Sequence, residues 1–333
     1  MNSGNLSIGL AGDVMIGRTV DSAISREGYS YPWGNMLPIL RDTDVNIINL
    51  ETTLTNSAKE VPKVFNFKAS PDKIETLTAA RIKFANLANN HILDYSEEGL
   101  AETLRTLKAA GIQYSGAGMN KEEAAKPAFI EKNGLRLGMI GFTDNEPGWK
   151  AGPGKSGVNY INISDKSQRQ EALNEIRNVG KVSDLVIVSI HWGPNMQEEP
   201  TDEFIAFAHE MAEHGAGIIH GHSAHIFQGI EVYRNTTVLY DTGDFIDDYV
   251  VDPVLKNNHS FLFSLQVNRN GVERIRLIPV LINNYQVNLA KEKDFLWSME
   301  RMRQLSKSFG TTISATGEVE IPKEKNININ NRF

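Results

Sequence analysis

Residues 184–222 read DLVIVSIHWGPNMQEEPTDEFIAFAHEMAEHGAGIIHGH. The first run, rich in Ile and Val, has the composition of a strand buried on both faces, and it ends at His191. TDEFIAFAHEMAEHG then carries a helical pattern that stops at Gly215. A second short apolar run, AGIIHGH, ends at His222. Strand, helix and strand in succession predict an α/β layered fold.

The same device recurs outward along the chain. LSIGLAGD ends at Asp13, VNIINLE at Glu51, and IKFANLANNH at Asn90 and His91. SPDKIETLTAARI predicts a helix with Ser70 as N-cap and Pro71 at its first position. SEEGLAETLRTLKAAGI places Leu100, Leu104 and Leu107 on one helical face and stops at Gly111. PAFIEKNGLRLGMIGF, with Asn133-Gly134 at its centre, predicts a hairpin, as do GIEVYRNTTVLYDTGDF and SFLFSLQVNRNGVERIRLIPVLI, so the sheets are expected to be mixed. Residues 148–157, GWKAGPGKSG, lack phosphate-loop spacing and are expected to form a mobile surface loop. Residues 1–285 are expected to form one domain. Residues 286–333 hold a helix near 294–308 and a polar tail that frays, packed on or trailing that domain.

Composition narrows the chemistry. The 333 residues include no cysteine, which excludes disulfides, thiolate metal sites and thiol nucleophiles. A metal site here must use His, Asp, Glu and Asn, donors that suit Mn²⁺, Zn²⁺, Fe²⁺ or Mg²⁺. The net charge of −7 argues against nucleic acid or an anionic membrane as partner. The sequence shows no apolar stretch long enough to span a bilayer and no signal-peptide pattern, so the chain as given is expected to be cytoplasmic.

Histidine is scarce, eight in the whole chain, yet IIHGHSAHIFQG places His220, His222 and His225 within six residues. Each polar residue at a strand end has an ordinary structural explanation as a turn former, cap or satisfied core group. Five such ends together point to one site, because ligands gather at the carboxyl ends of strands in layered α/β folds. Asp13, Glu51, Asn90, His191, His222 and His225 are the donor types that a pair of divalent cations needs. His220 is expected to face away, and Gly221 to let the backbone turn close to the metals.

AGDVMIGR, NLET, FNFKASP, LANNHILDYSEEGL, IHWG and GHSAHIFQGIEVY together resemble the CapA family, named for capsule poly-γ-glutamate synthesis and related in fold to calcineurin-like metallophosphoesterases. The resemblance covers roughly residues 6–282. It implies a four-layer α/β/β/α sandwich with mixed sheets and one or two divalent metal ions at one edge. It further implies that Asp13 and His225 serve one metal, His191 and His222 the other, that Glu51 bridges, and that Asn90 is a ligand. His91 stands where the related enzymes have a transition-state acid or donor, and Asp94 is placed to orient its imidazole or to cap the following helix. Arg18 and Lys68 are candidates for binding substrate carboxylates. Asp241, Gly243 and Asp244 stand where the family often has a Gly-Asn-Phe turn, with Asp in place of Asn. Two departures thin the first metal's ligands: Met15 replaces a histidine, and the last motif is His-x-x-His, with Ser223 and Ala224 between.

The expected function is that of a metal-dependent enzyme acting on poly-γ-glutamate or a related peptide by amide hydrolysis or transfer. Phosphoester hydrolysis, metal-assisted epimerisation at a peptide Cα, and non-catalytic binding of polyglutamate during synthesis or export are the alternatives.

Overall fold

The structure is a computed structural model that describes residues 4–322. It is a mixed α/β fold with two principal sheets. The strands Leu6–Val14, Val45–Leu50, Ile82–Asn86 and Gln113–Ser115 run parallel in the first sheet; His259–Asn268, Gly271–Asn283 and Gln286–Leu289 extend it antiparallel on the other side. The second sheet has Leu135–Thr143, Leu185–His191, Ile218–His222 and Thr236–Leu239 in parallel, with antiparallel edges at Ala128–Lys132 and Ile230–Tyr233. Both sheets are mixed, and all three expected hairpins form. The first turns at Asn133 and Gly134, both with positive φ (52° and 77°).

Side-chain alternation sorts the core. Leu6, Ile8, Val45, Ile47 and Phe84 of the first sheet pack against Leu137, Met139, Leu185, Ile187 and Ile218 of the second. The outward faces take helices. Val186, Val188 and Ile219 meet Ile176 of the helix Lys166–Gly180 and Phe207 of Asp202–Glu213. Ile48 and Ala85 meet Val20 of Arg18–Glu27 and the predicted Leu100, Leu104 and Leu107 face of Ser96–Ala109. The C-terminal helix Glu292–Ser306 buries Met299, Met302 and Leu305 in the layer between the sheets. Among the described residues no helix is long and apolar enough to cross a membrane.

Three local expectations need correction. Ser70 does not cap the next helix, because its hydroxyl bonds Asp72; the first turn, Pro71–Lys73, is a 3₁₀ turn before Ile74–Ala79. The third parallel strand ends at Asn86, short of Asn90, because the Asn86 amide turns back to Ala88 O at 3.0 Å. Residues 148–157 are tied by backbone bonds from Ala151 N to Val158 O (3.1 Å) and Gly152 N to Lys155 O (3.0 Å), so they form a pinned turn. The polar tail at 324–333 lies outside the described residues.

Candidate metal centre

Register across the two sheets builds the site. In the first sheet Asp244, Asp13, Asn49 and Asn86 are successive Cα partners at the carboxyl edge. In the second, Thr143, His191 and His222 are likewise in line. Strict alternation from Ile8 and Leu10 would turn Asp13 outward. A register irregularity between Leu10 and Asp13 re-aims it into the layer between the sheets, while Ala11 and Val14 both pack outward. Gly12 permits this approach, since a Cβ there would lie 1.7 Å from Gly243 O.

The two rows meet in buried contacts. Asp13 Oδ1 lies 3.9 Å from His191 Nδ1 and 3.8 Å from His222 Nδ1, and the two ring nitrogens are 2.9 Å apart. Asp13 Oδ2 lies 3.3 Å from His225 Nδ1, which is 2.8 Å from Asp244 Oδ1. Asp13 thus belongs to two donor groups, Asp13–His191–His222 and Asp13–His225–Asp244, all buried. Glu51 is not the residue common to both: its Oε1 lies 4.0 Å from His191 Nε2 and 3.7 Å from His91 Nε2.

His220 does not face away. With a period of two it shares a face with Ile218 and His222, one layer deeper, and its ring meets the hydroxyls of Ser189 (3.2 Å) and Thr242 (3.3 Å). Gly221 does not provide the turn either. It is extended strand, and a Cβ there would lie 2.0 Å from Tyr240 O. The turn falls on Ser223 (φ 118°) and His225 (φ 59°), conformations that cost about 1–3 kcal/mol each. Asp241 Oδ2 holds it by accepting from Ala224 N at 2.7 Å, and its Oδ1 accepts from Gly243 N at 2.8 Å.

His91 lies in the loop beyond Asn86, buried beside Glu51. Its Nδ1 is 2.6 Å from Asp94 Oδ2, which also accepts from Phe67 N at 2.7 Å. Asp94 Oδ1 accepts from Lys63 Nζ at 2.9 Å. Asp94 does not cap the helix Ser96–Ala109, whose N-cap residue is Tyr95. Lys63 also bonds Asn90 O and lies 4.8 Å from the Trp149 ring centroid. The Arg18 guanidinium sits 5.1 Å from the centroids of both Phe65 and Phe67, and Phe67 meets His91 edge-on at 4.4 Å. Lys68 points elsewhere, donating to Ser57 O at 3.0 Å and lying 4.4 Å from the Tyr95 ring.

Burial holds His191 down at about 3 and His222 well below the usual imidazole value, so both rings are neutral and carry lone pairs near neutral pH. Burial, then the charge of Asp13, holds the Glu51 carboxyl well above its usual range. Burial lifts Asp244 as well. At His225 burial is outweighed by Asp244 and Asp13, and the imidazole is raised. Opposed displacements within one buried cluster make it a candidate functional site.

The donor set fits a divalent cation. Asp13 Oδ2, Glu51 Oε1, Asn90 Oδ1 and Asp244 Oδ2 are buried side-chain oxygens with no hydrogen-bond partner. Each would cost about 1–3 kcal/mol left so, and all four are oxygen donors that such a cation accepts. Neutral, desolvated imidazoles beside a shared carboxylate are the complementary nitrogen donors.

Three residues of the centre carry no clear mark as donors or supports in the sequence. Asn49 gives its amide to Asp13 Oδ1 at 2.7 Å and lies 3.3 Å from His191 Nδ1; its position two before Glu51 in a strand was the available signal. Asn86 supports Asn49 Oδ1 at 2.9 Å. Lys63 comes from an irregular segment that no periodicity marks.

The family model described as "Bacterial capsule synthesis protein PGA_cap" matches residues 7–249. A "Probable polyglutamine synthesis accessory protein" of Mycobacterium tuberculosis is 30% identical, over 91% of this chain and 92% of its own. The "PGA biosynthesis protein CapA" of Bacillus subtilis is 28% identical over 91% of this chain and 78% of its own. The "Capsule biosynthesis protein CapA" of Bacillus anthracis is 28% identical over 83% and 67%.

Proposed function

This chain belongs to the bacterial capsule synthesis protein family PGA_cap, and from that premise we propose that it is a metal-dependent enzyme acting on poly-γ-glutamate or a related peptide, by hydrolysis or transfer at an amide. The observation that carries this reading is the pair of buried donor groups sharing Asp13, with Glu51 Oε1 4.0 Å from His191 Nε2. The metals are Mn²⁺, Zn²⁺ or Fe²⁺, with Mg²⁺ as the harder alternative. In the same reading the layers form the four-layer α/β/β/α arrangement of metallophosphoesterases, in one domain through residue 285 with the C-terminal helix packed on it.

A bound divalent cation supplies Lewis acidity toward a carbonyl oxygen and lowers the pKa of water. Asp13, His191, His222 and His225 would hold it, and Glu51 and Asn90 would be further ligands. His91 moves the proton. Asp94 engages Nδ1, which leaves Nε2 as the ring atom that exchanges a proton with the reacting group. Lys63 fixes Asp94, and the backbone N–H of Phe67 fixes it from a second side.

The test is a screen of the metal-loaded full chain on γ-glutamyl peptides, phosphoesters and peptide epimers. Metal-dependent cleavage or transfer of a γ-glutamyl amide is the expected result. Turnover of phosphoesters alone would replace the amide reading. The second reading takes its support from the accessory role named for the M. tuberculosis relative: the site binds polymer without turning it over, and every substrate in the screen stays intact.

Polymer binding gives a separate prediction. Arg18, with its side chain 33% exposed, lies above the Phe67–His91 contact and pairs with Asp248 only at 3.4 Å. Polyglutamate affinity should fall as salt rises, and Arg18→Ala should weaken it more than Lys68→Ala, whose ammonium is already engaged. Equal affinity in wild type and the Arg18→Ala, Lys68→Ala double variant, measured by titration at low salt, would remove both residues from the binding site.

A further inference from the structure

We propose that Asp244 is itself a metal ligand, completing with Asp13 and His225 a carboxylate-rich site beside the imidazole-rich site of Asp13, His191 and His222. This rests on the metal-centre reading above and assigns it a further ligand and a division of metals.

Asp13 and Asp244 are Cα partners on adjacent parallel strands, so both side chains leave the sheet on one face. Backbone bonds from Asp13 N to Gly243 O (2.9 Å) and from Met15 N to Ile246 O (2.8 Å) fix that register. The His225 ring inserts between the carboxylates, with Nδ1 2.8 Å from Asp244 Oδ1 and 3.3 Å from Asp13 Oδ2. One ring nitrogen carries one proton, so it cannot satisfy both oxygens. Asp13 Oδ2 and Asp244 Oδ2 stay buried without a hydrogen-bond partner. With release of the Nδ1 proton to solvent, a divalent cation would take both oxygens and the nitrogen together. Met15, two residues after Asp13, is buried but offers no oxygen or nitrogen donor in its side chain. The neighbouring strand contributes a second carboxylate through Asp244.

The two groups differ in hardness. Two carboxylates and one imidazole favour Mn²⁺ or Mg²⁺; two imidazoles and one carboxylate favour Zn²⁺. The centre should therefore fill unequally when both metals are offered.

The experiment dialyses the full chain against Mn²⁺, against Zn²⁺ and against both, and counts metal per chain by elemental analysis. Asp244→Ala, Asp244→Asn and His191→Ala are run in parallel with their melting temperatures. Wild type is expected to hold one ion of each metal. Asp244→Ala should keep Zn²⁺ and lose Mn²⁺ affinity by more than ~100-fold, beyond the 10–100-fold that a residue merely orienting a ligand costs. His191→Ala should do the reverse. If the alanine variant does not fold, Asp244→Asn decides, because it keeps the shape and loses the charge: unchanged Mn²⁺ affinity overturns the proposal, and a clear loss with Zn²⁺ retained upholds it. A folded Asp244→Ala whose Mn²⁺ affinity stays within ~100-fold of wild type overturns it too, while leaving the rest of the metal centre standing. Wild type that binds neither metal overturns the underlying reading, and this proposal with it.

Discussion

His91→Ala is expected to cut turnover by ~10²-fold or more, the usual size of a proton-transfer contribution, while metal content stays unchanged. The His91 ring lies with Nε2 3.7 Å from Glu51 Oε1 and belongs to neither donor group that shares Asp13. Its own anchors are Asp94 and, through Asp94, Lys63. Burial, against the opposing pull of Asp94, holds its pKa below the ordinary imidazole value. The ring is therefore largely uncharged near neutral pH and carries its proton on the nitrogen that faces Asp94. Removing it takes away a proton carrier and leaves the carboxylates and the other imidazoles in place. Loss of metal in His91→Ala would make the residue a ligand. Undiminished activity would show that the chemistry needs no proton carrier at this position.

Asp13→Ala is expected to empty the centre more completely than any other single change. Asp13 stands in both donor groups, and its two oxygens face different partners, Oδ1 toward His191 and His222 and Oδ2 toward His225. Burial works against its ionisation but is outweighed by its contact with His225, so the carboxyl is held below its usual range. It is an anion over the whole working pH range. Elemental analysis of Asp13→Ala should find neither ion, whereas His222→Ala should lose metal at the imidazole-rich group alone. If Asp13→Ala retains as much metal as wild type, the donors lie elsewhere.

Much of this centre is legible in the sequence because strand geometry makes it so. Apolar runs that end in Asp13, Glu51, His191 and His222 mark the carboxyl edges of strands. Parallel pairing then brings His191 beside His222 without further information. The facing of Asp13 is not legible, since it depends on an irregularity in pairing that leaves no periodic trace. The facing of His220 follows from simple alternation with His222, because side chains two apart in a strand share a face. Gly221 suggests a turn in sequence, yet it is needed for close approach to the Tyr240 backbone, and the turn conformation falls on Ser223 and His225. Asp244 and Lys63 come from segments distant in sequence, so only tertiary packing brings them to Asp13 and Asp94. The end of the third strand at Asn86 is a local competition in which the Asn86 and Asn89 side chains bond backbone and Asn49 instead of extending the ladder.

Metal content tests the centre most directly. Full-length protein purified without chelator, and a second sample incubated with Mn²⁺ and Zn²⁺, are measured by elemental analysis alongside a melting curve that reports folding. Buried, unpartnered oxygens on Asp13, Glu51 and Asp244, together with the neutral imidazoles of His191 and His222, predict one to two divalent ions per folded chain. A well-folded chain that remains metal-free after incubation with both ions would contradict that prediction.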